Sequence, residues 1–233
     1  MKFGVVVFPG SNCDQDMVDA LNIMQSAHQL DVVKLWHKDH DLQNCDFIIL
    51  PGGFAYGDYL RSGAIARFSP IMREVEIFAK GGGYVFGVCN GFQVLCEAGL
   101  LEGTLRHNSD RKFLCRNVHI STSTNNSILS RSIEKNKALK IPVANGEGNY
   151  FAHDDTIRSL KDNDQIIFRY CDENGDVTVA SNPNGSIDNI AGICNKGRNV
   201  FGMMPHPERA VDQHLGNTDG RMLFESMLSA VEA

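Results

Sequence analysis

Apolar residues along this chain follow two different periods. Continuous apolar runs occupy 2–8 (KFGVVVF), 30–36 (LDVVKLW), 45–53 (CDFIILPGG) and 83–89 (GYVFGVC). Between them lie segments with apolar residues spaced at three and four: DMVDALNIMQSA at 16–27, AIARFSPIMREVEIFAKGG at 64–82 and NGFQVLCEAGLL at 90–101. The runs read as strands buried on both sides and the spaced segments as helices covering them. The helical segment over 64–82 is expected to be broken or bent near Pro70, because proline removes a backbone donor and crowds the preceding turn.

After residue 101 the pattern changes. KFLCRNVHIS, KALKIPVANG, QIIFRYCDENG and VTVASNPNG read as shorter strands between polar turns. IAGICNKGRNVFGMMP at 190–205 reads as a hairpin through NKGRN, and DGRMLFESMLSAV at 219–231 as a closing amphipathic helix. The pattern predicts an α/β fold: an open, mostly parallel sheet with helices on both faces and β-rich additions in the second half. No composition break divides the chain, so residues 1–233 are expected to form one domain.

Net charge narrows the partners. The chain carries 22 Lys and Arg against 28 Asp and Glu, a formal charge of −6. A general nucleic-acid surface is not expected. No run of 18 apolar residues appears, so no membrane span is expected, and the N-terminus reads as a strand rather than a targeting signal. Seven cysteines without a Cys-x-x-Cys pair argue against a disulfide framework and for a reducing, cytoplasmic setting.

Among these cysteines, Cys89 stands where a strand turns into a helix, with Gly87 and Gly91 on either side. Small neighbours permit a sharp bend, and helical N–H groups favour a thiolate and any oxyanion formed beside it. The spacing is the cysteine counterpart of a G-x-S-x-G nucleophile elbow. Cys13 follows the first strand without such an elbow, and Cys96 lies inside the helical pattern as core. Cys45, Cys115, Cys171 and Cys194 lack an activating context.

A cysteine nucleophile needs a base. GMMPHPERA at 202–210 offers His206 with Glu208 two residues on. In an extended segment the two share a side, so Glu208 would orient the imidazole and leave its other nitrogen for Cys89. The glycine turn PGG at 51–53 supplies oxyanion donors: the backbone N–H of Gly53 would meet that of Asn90.

GVCNG, PGG and HPE together resemble the class I glutamine amidotransferases, whose order of cysteine, histidine and glutamate this chain keeps. Over most of its length, FPGSNCDQD, PGGFAYGDYLRSGAIARFSPIM, GGGYVFGVCNGFQVLCEAGLL and MMPHPERA resemble the glutaminase subunits of phosphoribosylformylglycinamidine synthases. The resemblance implies a flavodoxin-like fold. It also implies hydrolysis of L-glutamine by Cys89, His206 and Glu208, with Gln93 helping to bind substrate. Ammonia would pass to a large ATP-dependent synthetase subunit that converts formylglycinamide ribonucleotide to its amidine in purine synthesis. A length of 233 residues implies the split-subunit form, which includes a small accessory subunit. No metal or other cofactor is expected in this chain, and ATP and Mg belong to the synthetase. The alternatives are a peptidase-like cysteine hydrolase, against which the separate HPE argues, and a non-catalytic subunit, against which the complete triad argues.

Other motifs are open. WHKDHD at 36–41 reads as a solvated turn rather than a metal site. Asn12 and Asp14 are candidates to cap the first helix. Asp58 and Arg61 are candidates to order the loop beside the pocket. Glu147, between two glycines, is either solvated or a recogniser of the substrate amino group. Arg106, Arg111, Lys112 and Arg116 form either an ordinary solvated edge or a face toward the synthetase or its anionic substrate.

Overall fold

A computed structural model describes residues 1–25 and 29–231, side chains at 230 and 231 excepted. Eleven strands and five α-helices follow in order: β1 Lys2–Val7, α1 Asp14–Met24, β2 Asp31–Trp36, β3 Phe47–Leu50, α2 Pro70–Lys80, β4 Tyr84–Val88, α3 Asn90–Glu97, β5 Thr104–Arg106, β6 Leu114–Thr122, β7 Ala138–Asn145, β8 Asn149–Phe151, α4 Asp154–Asp162, β9 Ile166–Cys171, β10 Ile190–Cys194, β11 Val200–Met203 and α5 Arg221–Val231. Nine strands join one sheet in the order β2-β1-β3-β4-β11-β10-β9-β6-β7, and β5 pairs with β8 apart from it. The first five positions are parallel, and from β10 onward each neighbour is antiparallel. The open parallel sheet with β-rich additions is thus present.

The chain steps from β1 to β2 in one direction and through β3, β4 and β11 in the other. Right-handed crossovers therefore put α1 on one face and α2 and α3 on the other. α1 packs on α5, and α3 lies over β3, β4 and β11. Strand β3 is buried at every position and β4 from its second residue on, which explains their unbroken apolar runs. Stacked Phe3 and Phe47, 5.2 Å apart, fill the layer beneath them.

The break expected near Pro70 is present, and three details elsewhere differ from the sequence expectation. A 3-10 turn spans Ala66–Phe68, and α2 starts at Pro70, where the missing N–H needs no partner. VTVASNPNG is not a strand: β10 occupies the place beside β9, and the segment is held by side-chain bonds such as Asn189 Nδ2 to Thr178 O at 2.7 Å. Helix α4 has no counterpart in the sequence expectation, since only Ile157 and Leu160 of its nine residues are buried apolar positions. The first helix ends at Met24, and expected positions 26 and 27 lie outside the described residues.

Candidate active site

Three neighbouring parallel strands, β3, β4 and β11, end at one edge of the sheet. Directly beyond their ends come Pro51-Gly52-Gly53, Cys89 and Pro205-His206-Pro207-Glu208. Residues 152 positions apart in sequence are therefore brought together by register: Leu50 and Gly202 both stand opposite Gly87, and the Cys89 N–H donates to Met203 O at 2.8 Å. The carboxyl ends of parallel strands are where open α/β sheets bind ligands.

Cys89 has φ 50° and ψ −105°, a conformation that an L-residue adopts only under constraint. The constraint is visible in its neighbours. A Cβ on Gly91 would stand 1.9 Å from the carbonyl oxygen of Leu50, and one on Gly87 2.6 Å from Gly91 backbone atoms. Helix α3 thus seats its first turn directly on β3. The elbow aims the thiol at the strand ends, where Sγ lies 3.7 Å from Ala144 O. Asn90, the first residue of α3, carries one of the N–H groups that no helical carbonyl satisfies.

His206 is buried, and its N–H donates to Pro142 O at 2.8 Å, fixing it to β7. Its Nδ1 lies 2.6 Å from Oε1 of Glu208, which is also buried. The pair meets through a 3-10 turn, Pro207–Arg209, rather than the expected extended segment. Pro207 presets the turn's φ, and the Arg209 N–H returns to His206 O at 3.2 Å. Nε2 and the second Glu208 oxygen have no hydrogen-bond partner among the described residues. Burial disfavours a charged imidazole, but Glu208 and the sulfurs of Cys89 and Cys13 outweigh it, raising the His206 pKa well above the ordinary value. The protonated imidazolium is thereby favoured.

Cys89 opens onto a cavity of about 160 Å³. Gly53, Asp58, Gln93, Asn145 and Glu147 supply polar lining, and Phe54 and Phe113 stack 6.4 Å apart at the rim. The space is far smaller than the roughly 300–1,000 Å³ of drug-sized sites and suits a single amino acid. Asp58 and Glu147 make its wall acidic. Desolvation raises the Asp58 pKa, bonds from Ser62 and Asn90 oppose that rise, and Glu147 adds to it.

Residues 1–223 match the CobB/CobQ-like glutamine amidotransferase domain. A phosphoribosylformylglycinamidine synthase subunit PurQ from Koribacter versatilis is 53% identical over 99% of both chains. Its counterpart in Chlorobaculum parvum is 57% identical over 98% of this chain and 90% of its own. The chain belongs to the PurQ family. It is the glutamine amidotransferase component of a phosphoribosylformylglycinamidine synthase and serves purine biosynthesis. The structure of PurLQS from Thermotoga maritima aligns with TM-score 0.86 at 40% identity, over 99% of this chain and 98% of that one.

Several PurQ-family motif residues take unexpected positions. The Gln93 amide is already engaged: Oε1 accepts from Asn90 Nδ2 at 2.9 Å and Nε2 donates to Glu147 O at 2.7 Å. It lines the cavity while holding the 145–148 loop. The Asn90 side chain also accepts from Ala55 N at 3.1 Å and donates to Asp58 at 3.1 Å, clamping the loop over the site. That loop needs a clamp, since Tyr56, Asp58 and Leu60 all have positive φ. Arg61 anchors its end on Glu97 at 2.7 Å. Glu147 is not simply solvated: it accepts from Ser62 N at 3.3 Å and faces the cavity.

Two site residues escaped sequence reasoning. Asn145 is buried in the cavity wall with both side-chain amide atoms unpartnered among the described residues. Its only sequence signal is its place before Gly146 at the end of β7. Cys13 lies against His206, and Arg209 Nη2 donates to its sulfur at 3.1 Å. Nothing local marks it, because both partners come from nearly 200 residues away. Neither Asn12 nor Asp14 caps α1: Cys13 occupies the N-cap, and Asp14 pairs with Lys34 at 2.9 Å. WHKDHD is only partly solvated, for His37 is buried and bonded to the Tyr56 hydroxyl at 2.7 Å. Arg106 and Arg111 line an open cleft of about 580 Å³ beside the pocket, with Arg61 and His107.

Proposed function

We propose that Cys89, His206 and Glu208 hydrolyse L-glutamine to glutamate and ammonia through a thioester. The observation that carries this reading is the strained Cys89 elbow and the buried His206–Glu208 pair beside one amino-acid-sized cavity. Cys89 attacks the side-chain amide carbon. Backbone N–H groups of Gly53 and Asn90 hold the tetrahedral oxygen. As the C–N bond breaks, its electron pair stays on nitrogen and His206 donates a proton to departing ammonia. His206 then takes a proton from water attacking the thioester, and the Cys89 sulfur leaves. Glu208 keeps the imidazole oriented and stabilises its charged form. The acidic wall of Asp58 and Glu147 receives the substrate ammonium, while Asn145 supplies unused polar atoms. Gln93 acts by fixing the Glu147 backbone.

The ammonia passes to a large synthetase subunit, which uses ATP and Mg to convert formylglycinamide ribonucleotide to its amidine, with a small accessory subunit in the assembly. Exposed Phe54 and Phe113 at the rim of the site, with exposed Tyr59 and Leu60 farther along the same loop as Phe54, support partner coverage there. Residues 1–233 act as one amidotransferase unit in the cytoplasm, a setting consistent with seven free cysteines. Among the described residues no helix is long and apolar enough to cross a membrane. The test is glutamate release by the chain reconstituted with its synthetase, with and without nucleotide substrates. A reconstituted complex that uses free ammonia but consumes no glutamine would overturn the reading.

A further inference from the structure

Cys13 does not belong to the triad, yet it is built into its back. It is the N-cap of α1, 3% exposed, and its N–H donates to Gly52 O at 3.3 Å. Its sulfur, a His206 ring nitrogen and a Glu208 oxygen all lie within 4.8 Å of one another. Sulfur and imidazole face one point above Gly52: a Cβ there would stand 2.6 Å from His206 Cε1 and 3.2 Å from Cys13 Sγ. Behind the sulfur, Arg209 donates from Nη2 at 3.1 Å and from Nε to Asp16 at 2.9 Å. A polarisable acceptor is therefore clamped between a fixed guanidinium and the edge of the imidazole.

We propose that Cys13 is a positioning residue for glutamine hydrolysis, its sulfur, fixed by Arg209, holding His206 aimed for proton delivery to departing ammonia. Cys13 forms no bond and is not consumed. The proton moves from His206 to the leaving nitrogen, and the sulfur stabilises the imidazolium beforehand. The titratable or charged groups around the imidazole are Glu208 on its own turn, Cys89 at the head of α3, and Cys13 with Arg209 and Asp16 behind it. Cys13 raises the His206 pKa alongside Glu208 and Cys89, all acting against desolvation. This inference rests on the reading of His206 as proton donor.

The test compares Cys13→Ala and Cys13→Ser with the wild type in the reconstituted synthetase complex. Two substrates are used: glutamine, whose nitrogen must be protonated to leave, and the p-nitrophenyl γ-ester of glutamate, whose leaving group needs no proton. General acid–base assistance contributes about 10²–10⁴-fold, so partial loss of it gives a fall of roughly tenfold or more in kcat for glutamine. KM stays within about twofold, ester cleavage falls less than about threefold, and the basic limb of the kcat profile moves to lower pH. Cys13→Ser, which keeps an acceptor, recovers part of the rate. Equal losses on both substrates, with or without a lower melting temperature, would show a structural role and overturn the proposal. So would an unchanged kcat and pH profile. Glutamine hydrolysis surviving in Cys89→Ala would instead overturn the underlying triad reading.

Discussion

Gly91→Ala puts the elbow geometry to a quantitative test. In a solvated helix this substitution stabilises by up to about 1 kcal/mol, because alanine loses less backbone entropy. Here the added Cβ would meet the Leu50 carbonyl oxygen at 1.9 Å. The obstacle is backbone in a strand held on both sides, by β1 and β4, so no side-chain rotation relieves it. Restoring contact requires α3 and β3 to separate by about 1 Å, a displacement that by itself costs roughly 100-fold in rate at a reacting centre. Overpacking adds about 1–3 kcal/mol of destabilisation, which outweighs the helix-propensity gain. Such a loss stays below a typical stability of about 5–15 kcal/mol, so the variant folds. The assay is initial-rate glutamate release by the reconstituted complex, with denaturant midpoints measured in parallel. Gly81→Ala is the control, since its Cβ meets Ile77 O at an ordinary 3.4 Å. Wild-type turnover and undiminished stability in Gly91→Ala would refute the claim that this contact sets the elbow.

Cys89→Ala is expected to abolish glutamine-dependent amidation while ammonia-dependent synthesis by the assembled complex persists; loss of both would point to failed assembly. Glu147→Gln is expected to raise KM for glutamine roughly 10- to 100-fold with a smaller change in kcat, the effect of removing a charge-assisted hydrogen bond of about 1.5–3 kcal/mol. Steady-state kinetics with an unchanged KM would exclude Glu147 from substrate binding. Glu208→Gln is expected to lower the His206 pKa and bring the basic limb of kcat to lower pH. Because the folded-state pKa of His206 is raised, its stabilisation is fully present below the unfolded value and is lost as pH rises through the folded one. The gap in denaturation midpoint between wild type and Glu208→Gln should therefore be wider at about pH 6 than at about pH 9, and a constant gap would contradict the linkage. Asn90→Leu is expected to strand Ala55 N, Asp58 and Gln93 without their partner at about 1–3 kcal/mol for each unsatisfied group, read as lower stability and slower glutamine hydrolysis.

Features that depend on neighbours along the chain are legible in the order of amino acids. Buried strands β1, β3 and β4 read directly from their unbroken apolar runs, whereas β2, read as buried too, lies at the sheet edge with only Leu35 buried. The elbow reads from Gly87 and Gly91 flanking Cys89. The glycine turn beside the cavity reads from PGG after β3, and Glu208 is legible as the partner of His206 because two residues separate them. Weakly apolar α4 and the unpaired VTVASNPNG segment are not legible, since burial there depends on which strand sits alongside. The remaining features arise only on folding, because sheet register joins segments whose separation in sequence carries no signal. Register sets the Gly91–Leu50 contact that fixes the elbow, while folding turns Gln93 from a free side chain into a brace for Glu147 and places the Asn145 side-chain amide in the pocket wall. It also carries Cys13 from the end of the first strand to the edge of His206. Parallel pairing of β1, β3, β4 and β11 underlies the Gly91–Leu50 and Cys13–His206 contacts, since it ends these strands together and gathers the loops at their carboxyl ends, while Asn145 and the Glu147 loop arrive from antiparallel β7.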